Sequence, residues 1–341
     1  MTATTSNKKR ILTGDNATGK LHIGHYVGSL ENRVKLQEEY ETFIIIADMH
    51  AFAYPKYVSS PEIVEDAVLQ VAIDNLAVGL DPKKSFIFPE SAIPEIYELS
   101  TIFSMLVTHN RALRNPTLKE EIKVKEMGDN YSLGFINFPI LQVADILAVR
   151  ADLVPVGEDQ LPHIELTAEV ARRFNTTYGE YFKEPAPMLG RVKRLVGLDG
   201  NAKMTKSLGN TIYLGEDEKT LKQKIMSMYT DPSRIHPTDP GKVEGNPVFI
   251  YHDAFNGNIE EVSDLKSRYA AGKVGDVEVK EKLYIALNQI LAPIRERRHY
   301  YETHIDEVKD ILKSGVLKTQ SETVETLNNV KRLMRLDKFH V

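Results

Sequence analysis

Two histidines set around a glycine, His22 and His25, lie in the run Thr18, Gly19, Lys20, Leu21, His22, Ile23, Gly24, His25, Tyr26. The run follows a short apolar segment, Ile11 to Leu12, and reads as a strand that breaks at glycines and opens a helix. Such a turn aims backbone N–H groups outward and is a ready phosphate site. At i and i+3 both imidazoles share one helix face, where they could donate to phosphate oxygens and stabilise charge as an α-phosphate is attacked. A single histidine here would more readily be a cap or a packing residue; two, with Gly19 and Gly24, reverse that preference. Farther on, Lys203, Met204, Thr205, Lys206 and Ser207 follow Gly197 to Ala202. Two lysines and two hydroxyls on a glycine-bearing connection can clamp a polyphosphate leaving group. Charged loops are usually only solvated, but such a loop has no need of Met204.

Two acidic positions extend the chemistry. Asp145 sits inside the apolar stretch Ile140 to Val149, where an unpartnered carboxylate would be costly to bury. It therefore requires a partner: a ligand N–H in an apolar pocket, or Arg150 or a helix N-terminus. The segment Leu153 to Val156, then Gly157, Glu158, Asp159 and Gln160, reads as a strand ending at glycine before a helix. That places a carboxylate where ribose hydroxyls are commonly held, although Asp159 as a helix cap would explain it equally.

These groups need a scaffold. Phe43 to Ala47 is a continuous apolar run ending at Asp48, as in a strand buried on both faces of a parallel sheet. A helix follows with Ser60 as its cap, Pro61 in its first turn, apolar residues at helical spacing from Ile63 to Leu76, and Gly79 at its end. Ser85 to Phe88 reads as another strand, and Ile96, Leu99, Phe103 and Leu106 as another helix. The alternation predicts an α/β fold, a doubly wound parallel Rossmann-like sheet with ligands above the carboxyl ends of its strands. Beyond the lysine segment the periodicity is helical, through Leu221, Ile225 and Met228 and then Leu283, Leu287, Ile290 and Ile294. Asp231 to Pro247, rich in proline and glycine, is a connection. The expected division is residues 1–212 as catalytic region and 213–341 as a smaller all-helical region, whose last helices can pack back on the first.

Composition bounds the rest. The chain has 341 residues, 42% hydrophobic, and a length prior of about 150 residues per domain favours two domains. With 43 basic and 48 acidic residues the net charge is −5, so any RNA contact must come from a local patch. Cysteine is absent, which excludes disulfides and thiolate metal sites. No run reaches the roughly 18 apolar residues of a membrane span, and the polar start lacks a signal-peptide core, so a cytoplasmic location with no membrane partner is expected.

The paired His22–His25 and Lys203–Ser207 segments resemble the nucleotide-binding signatures of class I aminoacyl-tRNA synthetases. From about Ile11 to the C-terminal helices the chain resembles the bacterial tryptophanyl branch; Ala144 to Leu147, Val154 to Gln160 and His163 to Thr167 carry that likeness rather than the tyrosyl pattern. The resemblance implies activation of L-tryptophan with ATP to an adenylate, release of pyrophosphate, and transfer to tRNA(Trp). It implies a homodimer and magnesium arriving with ATP, with no metal held by protein ligands alone and no tightly bound cofactor. By the resemblance His22, His25, Lys203 and Lys206 are catalytic, and Asp145 accepts the indole N–H. Leu12, Gly14, Asn16, His50, Phe138, Gln142, Val154, Val156 and Gln160 surround the amino acid. Asn16, Ala17, Thr18, Gly24, His25, Gly157, Glu158, Asp159, Leu195 and Lys203 to Ser207 (Lys203, Met204, Thr205, Lys206, Ser207) fall at ATP positions. Thr205 replaces a usual serine, and Leu12, Asn16 and Gln142 stand where many relatives carry phenylalanine, glutamine and methionine. A further mobile lysine is one of Lys119, Lys123 and Lys125. The helical region would read the anticodon, with Arg295, Arg297, Arg298, His299, Tyr300 and Tyr301 offering a basic and aromatic face.

Two rivals are weighed against this reading. A small-molecule adenylyltransferase shares the two-histidine turn but requires neither the lysine segment nor the helical region. A non-enzymatic RNA binder has no reason to keep His22, His25, Lys203, Lys206 and Asp145 together.

Overall fold

The computed structural model describes residues 8–124, 128, 131–189, 195–200, 204, 209–232, 234–236 and 238–339. Among these, five parallel strands form one sheet: β1 Arg10–Asn16, β2 Glu41–Ala47, β3 Ser85–Pro89, β4 Leu153–Val156 and β5 Ala186–Leu189. Their order is β3-β2-β1-β4-β5. The chain runs outward from β1 to β3 and then returns to the other side of β1. The crevice between the carboxyl ends of β1 and β4 is thus the topological switch point, where ligands bind in such sheets.

Helices cover both faces. α1 Ile23–His25 continues through a π-helical segment, Tyr26–Leu30, into α2 Glu31–Leu36. α3 Asp48–Ala51, α4 Pro55–Val58 and α5 Pro61–Ala77 follow β2, and α6 Pro94–Ser104, α7 His109–Leu113, α8 Pro116–Val124 and α9 Leu133–Ala148 lie between β3 and β4. α10 Leu161–Tyr178 joins β4 to β5. The rest is helical: α11 Glu218–Met226, α12 Pro247–Phe255, α13 Ile259–Ala270, α14 Asp276–Thr303 and α15 Ile305–Leu333. The apolar run of β2 divides by its twofold alternation. Ile44 and Ile46 join a core with α5, α12 and α14, whereas Phe43 and Ile45 join another with α6, α9 and α10. This is why the run is continuous rather than alternating.

The structure adjusts three expectations. Ser60 stands at the N-cap of α5, but its side chain makes no capping bond; Pro61 at the first position sets the helix start. Asp159 does not cap α10: a short 3-10 turn, Glu158–Gln160, intervenes and Gln160 takes the cap position. The arginines of α14 do not form an open basic face. Arg298 is only 3% exposed and pairs with Asp74 of α5, while the Arg297 Nε donates to the Ala77 carbonyl at 2.6 Å and Arg295 reaches Asn288 and the Glu216 carbonyl.

α15 lies along β3, where a Cβ at Gly315 would fall 2.0 Å from the Ile87 carbonyl oxygen, so only glycine permits the approach. Glu322 of α15 then accepts from Arg10 of β1 at 2.6 Å and from Arg150 at 2.8 Å.

Asp74 also accepts from the Leu21 N–H at 2.7 Å, immediately before His22. Burial raises its pKa to about 6 against the lowering by Arg298, so desolvation outweighs the pair's attraction and each partner depends on the other. Arg298→Met, which keeps length but strands Asp74, should cost about 3–5 kcal/mol in urea unfolding. Adding Asp74→Asn should recover much of that loss. A loss below about 1 kcal/mol for the single variant would show that the pair does not hold the helices together.

Candidate active site

The switch-point crevice is a cavity of about 530 Å³. It brings together Leu12, Gly14 and Asn16 of β1, Thr18, His22, Gly24 and His25 of the following turn, and His50 of α3. Phe138, Gln142 and Asp145 of α9, Val154 and Val156 of β4, Gly157, Asp159 and Gln160, and Leu195 and Met204 complete the expected set. Ala17 is fully buried and Glu158 exposed, and neither lines it. Lys203, Thr205, Lys206 and Ser207 lie outside the described residues, as does Lys125; Lys119 and Lys123 are exposed on α8 and do not line the cavity.

The histidine turn is built as a reciprocal cap. The His22 Nδ1 accepts from the Gly24 N–H at 3.1 Å, and the His25 Nδ1 accepts from the His22 N–H at 3.2 Å, with the rings 3.9 Å apart. With both Nδ1 atoms acting as acceptors, each neutral ring carries its proton on Nε2, which is the nitrogen able to donate to a ligand. A Cβ at Gly24 would lie 2.8 Å from the His22 ring and 3.3 Å from the Met204 sulfur. Glycine there lets His22 fold back and lets Met204, 5% exposed, seat on the turn. The methionine inside the charged segment is therefore a packing residue against the first motif.

Behind the turn stands Arg33, which the sequence reading missed. It is 1% exposed and donates to Asp15 at 2.5 Å, to the Gly14 carbonyl at 2.9 Å, to Asn75 at 3.0 Å and to the Ser29 hydroxyl at 2.9 Å. Burial alone would raise the Asp15 pKa, but the Arg33 guanidinium outweighs it and holds the carboxylate below its ordinary value. The pairing fixes the carboxyl end of β1. An arginine on an otherwise apolar helical face, with an acid at a strand end, was the available signal.

The opposite end is apolar and acidic. His50 stacks on Phe138 with ring centroids 4.3 Å apart, and Phe138 meets His163 at 5.6 Å. Gln142 donates to Gln160 at 3.4 Å. Asp145 is buried in the last turn of α9, at the end opposite the helix N-terminus, and among the described residues its Oδ1 has no hydrogen-bond partner. Arg150 is not that partner, being engaged by Glu322, Glu325 and the Tyr181 hydroxyl. Burial first, then the charges of Glu90 and Asp48, raise the Asp145 pKa well above the carboxylate range. Glu90 and His163, also missed from the sequence, line the same end.

His163 tests the dryness of this end. Its Nδ1 faces the Asn115 amide at 3.4 Å, its Nε2 is buried without a partner, and burial lowers its pKa to about 4. The unfolded imidazole takes up a proton near 6.5 while the folded ring stays neutral, so this group makes stability fall as pH drops from 6.5 to 4, by up to about 3 kcal/mol. His163→Gln should therefore lose less stability than the parent between pH 7 and pH 4.5 in thermal or urea unfolding. Equal losses would mean that the ring is solvated.

The comparisons agree with this geometry. The family described as tRNA synthetases class I (W and Y) matches residues 4–292. The tryptophan–tRNA ligase of Chlamydia caviae is 47% identical over 338 residues, covering 97% of each chain. That of Lactococcus lactis subsp. lactis is 49% identical over 340 residues, 97% of this chain and 99% of the relative. The crystal structure of tryptophanyl-tRNA synthetase from Campylobacter jejuni complexed with ADP and tryptophan superposes with a TM-score of 0.83 at 32% identity, covering 96% of this chain and 100% of that one. A parallel sheet with the two-histidine turn at its switch point, and near full-length likeness to these ligases, lead to one conclusion: the chain belongs to the class I tRNA synthetases of the W and Y type.

Proposed function

We infer that this chain joins L-tryptophan to tRNA in two steps. The tryptophan carboxylate attacks the α-phosphate of ATP, the bond to the β-phosphate breaks, and pyrophosphate leaves. The terminal ribose hydroxyl of tRNA(Trp) then takes the acyl group and AMP departs. The observation that carries the substrate assignment is Asp145, a buried acceptor without a partner in the same cavity as the histidine turn. Indole N–H is a donor with no acceptor capacity, which is what such a group needs. Phenylalanine leaves the acceptor unpaired and is rejected on that ground.

The polar end suits the nucleotide. His22 and His25, through Nε2, stabilise charge on the α-phosphate, and Lys203 and Lys206 draw off the leaving pyrophosphate. Gly157 and Asp159, at the end of β4, take the ribose. Magnesium would arrive with the nucleotide substrate and would neutralise charge on its phosphates. Among the described residues no helix is long and apolar enough to cross a membrane; a cytoplasmic homodimer, with tRNA reaching both subunits, completes the reading. A small-molecule adenylyltransferase would make pyrophosphate exchange independent of tryptophan, and a non-catalytic RNA binder would give none. Exchange measured with each amino acid in turn separates the three.

Asp145→Ala should lower kcat/KM for tryptophan by about 2–4 kcal/mol, roughly thirty- to a thousandfold, with ATP affinity unchanged. An equal loss for both substrates would reassign Asp145 to the fold. Lys206→Ala should slow adenylate formation by about 10² or more while sparing tryptophan affinity, because its interaction grows only as charge moves to pyrophosphate. An unchanged single-turnover activation rate removes it from the mechanism.

A further inference from the structure

The amino-acid end of the cavity holds a buried donor that the reaction above does not use. His163, in the first turn of α10, is 1% exposed and lines the cavity, and among the described residues its Nε2 has no hydrogen-bond partner. Its other nitrogen settles where the proton lies. The Asn115 Oδ1 accepts from the Thr117 N–H at 2.9 Å, so the Asn115 amide nitrogen faces the ring and donates to Nδ1 at 3.4 Å. A neutral imidazole whose Nδ1 accepts carries its proton on Nε2. Burial keeps the ring neutral. Asn115 is buried as well, and the Thr117 hydroxyl donates to the Asp159 carbonyl at 3.2 Å, so the start of α8 is fastened to the turn after β4 while it orients the ring.

A buried N–H without an acceptor is costly to a fold, and a ligand that brings the acceptor removes the cost. L-Tryptophan brings donors in its indole N–H and its ammonium group; its carboxylate is the acceptor. Phe138, Gln142 and Asp145 recur at helical spacing on α9, all three line the cavity, and Phe138 meets the His163 ring at 5.6 Å. His163 thus stands beside a position two turns of α9, roughly 10 Å, from Asp145. That span suits an amino acid whose indole is held at Asp145 and whose main-chain end lies toward His163. We propose that the His163 Nε2–H donates to the carboxylate of bound tryptophan, holding one oxygen while the other attacks the α-phosphate. His163 transfers no proton and stays neutral throughout; it orients the nucleophile, and Asn115 is the positioning residue that fixes its tautomer.

The proposal rests on the chain binding L-tryptophan, and its test pairs that ligand with tryptamine, which has the indole and the ammonium group but no carboxylate. The chain contains no tryptophan, so ligand indole fluorescence reports both titrations without protein background of that kind. At pH 7, His163→Leu should weaken tryptophan by about tenfold or more while tryptamine stays within about threefold of the parent. A loss confined to the ligand with the carboxylate is one that a merely structural role would not produce. Histidine nitrogen-15 NMR of the parent supplies a second measurement that needs no variant. His163 should be the Nε2–H tautomer, and its Nε2–H resonance should shift with tryptophan and not with tryptamine. Equal losses of the two ligands in His163→Leu, a proton on Nδ1, or the same Nε2–H shift with both ligands would overturn the proposal, and the spectra decide it even if the leucine variant fails to fold. A parent protein that binds ATP but not tryptophan would instead overturn the substrate assignment beneath it.

Discussion

A buried carboxylate, Asp74, is the constraint on which the rest of the structure depends. One oxygen takes the Leu21 N–H and the other the Arg298 guanidinium, so α5, the residue before the histidine turn and the long helix α14 meet at one charge. The turn is tied further by Ile23 and Leu214 backbone bonds to Ile212 and Leu21, which join it to the segment entering the helical region. Neither ion of the pair could be lost alone without stranding the other in an apolar interior. The position of His22 therefore depends on α14 being docked, and displacement of that helix would be felt at the turn before it reached the sheet.

The cavity is divided by solvation as much as by shape. On its nucleotide side, Arg33 satisfies Asp15 and the end of β1, so charge there is neutralised locally. On its amino-acid side, Asp145 and Glu90 are buried, and among the described residues no cation forms an ion pair with either. A fold selected for stability alone would not keep such acids, since replacing an unsatisfied buried charge by an apolar group is usually stabilising. Their presence is a cost borne at the place where a ligand supplies the missing donor, the usual location of a local violation of packing rules.

What the sequence could reveal follows from the range of the forces involved. The sheet was legible because each β strand writes its burial into a few consecutive residues, as Phe43 to Ala47 do, and because the segments alternate with helical periodicity. The histidine turn was legible because glycine, cap and strand end are local. Asp145 was visible as an acid in an apolar stretch, although its freedom from Arg150 was not: that arginine is claimed by Glu322 and Glu325, more than 170 residues later. The same distance concealed Arg298, whose neighbours in sequence are basic and aromatic but whose partner lies on α5. Periodicity shows that a helix has a buried face without naming what the face meets.

Glu90 was hidden for another reason. It stands at a strand end beside Pro89 and Ser91, where acids are ordinarily solvated, and only the packing of α3, α6 and α9 over that end removes it from water. Burial and the Asp48 charge raise its pKa, and the Met49 and His50 N–H groups only partly oppose that rise. Its burial becomes intelligible as part of the cavity wall, because Glu90, from the turn after β3, and Asp145, from α9, line the same cavity.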